Sequence, residues 1–376
     1  MRILAIETSC DETAIALLDI SGALGKPNIK VLGNTLLSQV ALHEQYGGVY
    51  PDLAKREHQK NLPILLKQTL KEAKMSEAEL RTIDYIAVTN GPGLEPALWT
   101  GITFATELGK SWGKPVIPVN HMEGHIYSVL YQDKFSISNS QFSKLELPAL
   151  ALLVSGGHTE LVHIKDFGKY EILGQTRDDA VGEAFDKTAR MLELPYPGGP
   201  QISRLAENSR KRTLEDTIKL PRPMIHLKNL DFSFSGLKTA VLYRIKEFSA
   251  KGGFASGEKE DMARAFEDAA IEVLVEKTRR ALLELGGEAK TLIVAGGVSA
   301  NLHLSRELKK LVGELHDITL SMPQRLLTTD NAIMIGIAAF IKLSREPEVL
   351  RNQIAIRADG NLSIDSERSR TISSAP

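Results

Sequence analysis

Apolar and polar positions fall into blocks whose periods differ along the chain. Residues 2–20, "RILAIETSCDETAIALLDI", are two apolar runs split by a small polar turn, which predicts a β-hairpin. Residues 149–166, "ALALLVSGGHTELVHIKD", predict a second hairpin. The two align without gaps, with Ala5 on Ala151, Ser9 on Ser155 and Thr13 on Thr159. A second pair repeats in the same order. "YIAVTNGPGLEPALWTGITFATELGK" and "TLIVAGGVSANLHLSRELKKLV" each read as a strand, a glycine-rich loop and a helix. Two matched pairs in one order predict two related lobes. Between them, Met262, Phe266, Ala269, Val273 and Leu274 recur at helical spacing up to a stop at Gly286. "DDAVGEAFDKTARMLEL" is also helical, with Val181, Phe185 and Leu192 on its packing side.

The blocks predict an α/β protein with a first lobe over 1–131, joined by a C-terminal helix 331–347, and a second lobe over 132–330. The polar stretch 131–148 is the expected linker, and the tail 358–376 is expected to fray. A length of 376 residues suits two lobes better than one core. A ligand is expected in the cleft between them. Hydrophobic residues at 43% and charged residues at 25% are those of an ordinary globular protein. A formal net charge of −1 gives no global field for nucleic acid, so such binding needs local patches. Residues 209–213 and 219–223 are the candidates, against the plainer reading of a solvated charge run. The single cysteine, Cys10, permits no disulfide within the chain and fits a reducing cytosol, so a cytoplasmic location is expected. No apolar run approaches the ~20 residues that span a bilayer, so no membrane role is expected.

Several loops carry candidate chemistry. Ser155, Gly156 and Gly157 let backbone N–H groups approach an anion, although an SGG by itself reads more readily as a plain hairpin turn. The matching turn carries Asp11 and Glu12, which suit a cation or a hydrogen-bond donor better than a bare phosphate. "VAGGVSAN" follows a strand and opens a helix, a place that favours anions, and Asn301 offers a donor and an acceptor. "YPGGP" would suit close approach of a sugar, or only stop a helix. Asp179, Glu183 and Asp186 fall on one helical stripe. In "NHMEGH", His121 and His125 share a helix face at metal-ligand spacing, or are two surface histidines. Met122 stands where a zinc peptidase needs its glutamate, and Glu123 points about 200° away from His121, so the peptidase reading fails. Asp330 offers a third ligand, or a helix N-cap.

Taken in order, "ETSCDET", "GGVYPDLAKREH", "GPGL", "NHMEGH", "LVSGGHTEL", "DDAVGEAFDK", "YPGGP", "DFSFSGLKT", "ARAFEDA", "AGGVSAN" and "TTDNAIMIG" make the chain resemble one family over residues 1–357. That family is the TsaD-type tRNA N6-adenosine threonylcarbamoyltransferases, once labelled O-sialoglycoprotein endopeptidases. The resemblance implies the bilobal actin-like/sugar kinase/Hsp70 ATPase fold, with two related lobes and an interlobe cleft. It implies His121, His125 and Asp330 around one divalent metal, Fe2+ or else Zn2+. It implies an adenylate site lined by Leu153, Val154, Ser155, Gly156, Gly157, Asp186, Gly199 and Asn301, with Asp11 and Glu12 at the reacting centre. The implied ligand is threonylcarbamoyl-AMP or ATP. The implied reaction moves the threonylcarbamoyl group to N6 of the adenosine 3′ of the anticodon in tRNAs reading codons that start with A. The implied partners are tRNA, a TsaB-type paralogous subunit and a TsaE-type ATPase, with a TsaC-type adenylate-forming enzyme upstream. Tyr50, Asp52, Glu95 and Pro96 depart from the family pattern, all outside the implied ligand set. A stand-alone ATPase or phosphotransferase of the same fold, and a non-catalytic partner subunit, are the alternatives.

Overall fold

The computed structural model describes residues 1–132, 145–212, 218–347 and 355–365. The polar stretch expected to link the lobes lies mostly outside them. The described chain divides into two compact units, Met1–Glu146 with Ile164–Glu171 and Pro323–Pro376, and Leu147–His163 with Ile172–Met322.

The first unit is built on β1 (Arg2–Glu7), β2 (Glu12–Ala23), β3 (Lys26–Ser38), β4 (Tyr85–Gly91) and β5 (Val116–Asn120). Their order in the sheet is β3-β2-β1-β4-β5. β1 and β2 up to Ile20 are largely buried, which is why they read as continuous apolar runs. β3 has alternating exposure at the sheet edge, a weaker pattern, and the sequence reading stops short of it. The single turn α1 (Val40–His43) follows β3. The helices α2 (Pro51–Glu72) and α3 (Glu95–Trp112) lie against one another, α2 on β2 and β3 and α3 on β4. The short α4 (His121–Tyr127) leaves β5 directly.

The second unit repeats the plan. Its sheet is made of β6 (Ala149–Val154), β7 (Thr159–Asp166), β8 (Lys169–Gln175), β9 (Thr291–Ala295) and β10 (Thr319–Ser321), in the order β10-β9-β6-β7-β8, although the hairpin end Ile164–Glu171 belongs to the first unit. Read from the other edge, this is the first sheet's order. The register repeats as well. β1 opens its parallel ladder with Ile3 against Tyr85, and β6 opens its own with Ala149 against Thr291. The ungapped alignment of β1 with β6 is therefore also their structural alignment. α5 (Val181–Met191), α6 (Gly198–Arg212), α7 (Ser235–Ala250), α8 (Glu258–Glu284) and α9 (Leu302–Leu315) enclose a core around Phe185, Phe232, Phe234 and Phe266.

The last helix, α10 (Ala332–Arg345), returns to the first unit and lies on β1, β2 and α4. Among the described residues no helix is long and apolar enough to cross a membrane. Residues 358–365, the start of the expected polar tail, bond to the β4 loop: Asp359 N–H donates to Asn90 O at 2.9 Å, and Ile364 is buried. The rest of that tail lies outside the described residues.

Candidate functional site

In the first unit, β5 ends at Asn120, whose side chain accepts from the N–H of Met122 at 2.8 Å and starts α4. Six of the seven residues of α4 are buried, His121 and His125 among them, so the surface-helix reading of the pair fails. Gly124 lets the helix lie close on α10, since a Cβ there would stand 3.0 Å from Met334 and Ile335. At the start of α10 it is Asn331, not Asp330, that caps, accepting from Met334 N–H at 3.0 Å. Asp330 is left free to face the histidines.

His121 Nε2 stands 3.3 Å and His125 Nε2 3.1 Å from Asp330 Oδ1. The two rings meet edge to face, 4.7 Å between centroids. The three ligand atoms all lie within 4.8 Å of one another. Both ring nitrogens of the buried His125 lack an aligned hydrogen bond among the described residues, despite the closeness of Asp330. A buried imidazole left so is costly unless something else takes its lone pair. Two imidazole nitrogens and one carboxylate oxygen converging on a point fit a divalent Fe or Zn ion.

A fourth residue serves this cluster. Glu7, fully buried at the end of β1, accepts from His121 Nδ1 at 3.1 Å, from Thr89 Oγ1 at 2.6 Å and from Ser9 N–H. Holding the proton on Nδ1 turns the Nε2 lone pair of His121 toward Asp330, as a carboxylate behind a metal-bound histidine does. Sequence reading missed Glu7, yet the signal was present. The hairpin alignment sets it opposite Leu153, a charge where the other copy is apolar. Burial raises the Glu7 pKa, but His121 more than offsets it and leaves the carboxyl below its ordinary value. Burial likewise lowers His121, while Asp330 and Glu7 together lift it well above the usual imidazole range.

Asp11 lies in the turn after β1, and Glu12 opens β2. Asp11 is buried, and its Oδ2 has no hydrogen-bond partner among the described residues. Burial, then the carboxylates of Asp330 and Asp11, push Glu12 well above the ordinary carboxylate range. Burial and the same carboxylates push the Cys10 thiol well above its usual value, which makes it a poor nucleophile.

In the second unit, the turn after β6 closes with Ser155 N–H donating to His158 O at 2.9 Å, and Gly156 and Gly157 stand in open space. Leu153 and Val154 are buried strand residues below it. Gly182 brings α5 onto the turn, since a Cβ there would meet Ser155 O at 2.5 Å. Gly296, at φ +94°, approaches Val154 O in the same way. Asp186 accepts from Gly198 N–H at 2.7 Å and so seats the start of α6, where the open Gly199 lies.

Two features differ from the sequence reading, at Asn301 and at Asp179. Asn301 caps α9, and its amide donates to Ser203 at 2.9 Å and Glu267 at 2.7 Å, so most of its hydrogen-bonding capacity is used within the fold. The glycine-rich loop expected between β9 and α9 takes the form of a 3-10 turn, Gly297–Ala300. Asp179 precedes α5 and pairs with Lys187 and Lys238, both at 2.8 Å, so it is no part of a helical acidic stripe. Of the basic candidates, Arg210 is tied to Glu267 at 2.6 Å, Arg212 to Asp261 and Arg222 to Glu272 at 2.7 Å, while Thr213 lies outside the described residues.

Comparison with known proteins agrees with this organisation. A family model described as TsaD, tRNA N6-adenosine threonylcarbamoyltransferase, matches residues 30–337. Curated tRNA N6-adenosine threonylcarbamoyltransferases of Burkholderia vietnamiensis and Burkholderia ambifaria are each 44% identical over 351 residues, 93% of this chain and 94% of theirs. Among solved structures, HypF of T.kodakarensis matches 92% of this chain and 48% of its own length, with a TM-score of 0.59 at 13% identity. That likeness concerns the fold alone, the actin-like/sugar kinase/Hsp70 ATPase type, of which the two matching sheets are the mark.

Proposed function

The chain belongs to the tRNA N6-adenosine threonylcarbamoyltransferase family, and from that premise we propose how its residues divide the reaction. It is an acyltransferase of tRNA modification. The threonylcarbamoyl group of threonylcarbamoyl-AMP passes to N6 of the adenosine 3′ of the anticodon, in tRNAs reading codons that begin with A. A C–N bond forms at the carbamoyl carbon, the bond to the phosphate oxygen breaks, AMP leaves, and the amine gives up one proton.

The observation that carries this reading is the His121–His125–Asp330 cluster in one unit with the buried Asp11 and the half-buried Glu12. His121 Nε2, His125 Nε2 and Asp330 would hold a divalent ion, Fe2+ first and Zn2+ second, with Glu7 orienting His121. Such an ion supplies a Lewis acid and a template for phosphate and carbonyl oxygens. Glu12, raised in pKa by its surroundings, is the proposed acceptor of the amine proton, with Asp11 presenting an unpaired carboxylate oxygen to a donor. In the second unit the backbone at Leu153–Gly157, with Asp186, Gly199 and Asn301, is the proposed adenylate surface. Asp186 and Asn301 act there mainly by fixing the loops that carry it. A cytoplasmic setting, a TsaB-type subunit, a TsaE-type ATPase and a TsaC-type source of the adenylate complete the proposal.

The test supplies labelled threonine, bicarbonate, ATP, an adenylate-forming enzyme and tRNA, with and without this protein and its expected partners. Label should reach tRNA only when the protein is present. Label absent from tRNA under every partner combination would overturn the reading, and ATP hydrolysis independent of tRNA would favour the phosphotransferase.

A further inference from the structure

A chain of buried polar side chains in the first unit leads to the acidic turn from behind. Every proton in it is fixed by its neighbours. Tyr50 N–H donates to His43 Nδ1 at 3.3 Å, so the His43 proton sits on Nε2, which donates to Gln39 Oε1 at 3.2 Å. With its oxygen accepting, Gln39 turns its amide nitrogen toward His58 Nδ1 at 3.4 Å. Thr13 Oγ1 donates to the same nitrogen at 2.8 Å. His58 must then carry its proton on Nε2, and it donates to the Cys10 carbonyl at 3.0 Å. The Gln39 backbone N–H donates to the next carbonyl, that of Asp11, at 3.0 Å. Gln39, His43, His58 and Thr13 are all fully buried.

Two successive carbonyls of the turn are thus gripped by groups outside it, and Asp11 and Glu12 project from the gripped backbone. A lone imidazole in an apolar core would need only one partner for each nitrogen. Here the partners of His58 fix a single tautomer, and its one N–H is spent on the residue before Asp11. Burial lowers the His58 pKa, which keeps the ring neutral and the pattern intact. We propose that His58 is a positioning residue that, through the Cys10 carbonyl, sets where the Asp11 and Glu12 carboxylates stand. The proposal rests on the reading of Asp11 and Glu12 given above only for its effect on rate. The grip itself is independent of that reading.

The experiment compares wild type, His58→Leu, His58→Gln and Glu12→Gln in the full protein with its partners. Glutamine can donate to Cys10 and accept from Thr13, and leucine can do neither. Deuterium exchange in segment 9–13 should quicken in His58→Leu and return toward wild type in His58→Gln. Single-turnover transfer in His58→Leu should fall roughly 10- to 100-fold in rate, a cost typical of misplacing a catalytic group. KM for tRNA and bound metal should stay within about twofold, and His58→Gln should regain most of the rate. The 15N spectrum of wild type should show the His58 proton on Nε2, a readout that holds even if the leucine variant fails to fold. Unchanged exchange in His58→Leu, or a proton on Nδ1, overturns the proposal. A slow Glu12→Gln beside a His58→Leu of full rate overturns its catalytic part. Glu12→Gln at full rate would instead overturn the earlier reading of Glu12 and leave the exchange and tautomer results to decide the grip.

Discussion

At the scale of single residues, side-chain chemistry was legible where spacing carries it and hidden where partners come from afar. His121 and His125 announce themselves by sharing a helix face. Asp330 had a plausible second role as a cap, and only the structure gives that role to Asn331. Glu7 was passed over because an acidic residue at a strand end reads as a solvated boundary, whereas it is fully buried behind His121. Glu7→Gln should weaken metal binding by roughly 10- to 100-fold, the usual effect of removing a carboxylate behind a histidine ligand. Calorimetric titration of the metal-free protein with Fe2+ or Zn2+ checks this. An unchanged affinity would assign Glu7 to packing alone. Asp330→Ala should abolish the stabilisation expected when divalent metal is added to the wild type, about 2.7 kcal/mol at a hundredfold excess over Kd and read as a rise in melting temperature.

At the scale of elements, the repeated hairpins were legible, their first strands down to register, because apolar β strands leave continuous runs and the turns between them are polar. Edge strands were not, since β3 and the three-residue β10 carry too little pattern. The placement of loops by glycine was also invisible. Gly182 and Gly199 look alike in sequence, but only Gly182 faces backbone. Gly182→Ala should cost roughly 1–3 kcal/mol of stability by pushing α5 off the Ser155–Gly156 turn. Gly199→Ala should stay within about 0.5 kcal/mol, yet weaken AMP binding if a ligand lies over it. Denaturant melts and nucleotide titration of the two variants separate these effects. The helices of the second unit are also joined by charge. Burial raises Asp268, but His303 and Arg210 more than offset it and bring the carboxyl down to about 2. A depressed carboxylate stabilises above its unfolded pKa and loses that contribution as pH falls to the folded one. The stability gap between wild type and Asp268→Asn should therefore be full at pH 6 and vanish as pH falls from near 4 to 2. A gap that persists at pH 2 would show that charge is not its cause.

At the scale of the molecule, two units were legible as a repeated order of motifs, and the family match agrees with that order. The docking of residues 355–365 was not, because the segment forms no helix or strand and mixes apolar residues, Ile356 and Ala358 on the first unit's core and a buried Ile364, with polar ones. The trace it leaves is Gly91, where a Cβ would strike Asp359 O at 2.0 Å. What the molecule does with its His121–His125–Asp330 cluster, acidic turn and glycine-rich loops is tested most directly by one measurement. Preformed, labelled threonylcarbamoyl-AMP is mixed with this protein, its partners and a tRNA reading an A-starting codon, and product is followed through a single turnover. The account predicts label on the adenosine 3′ of the anticodon with one AMP released per transfer, and none when that adenosine is replaced by guanosine. Release of AMP without label on the tRNA, or label that ignores the replacement, would contradict it.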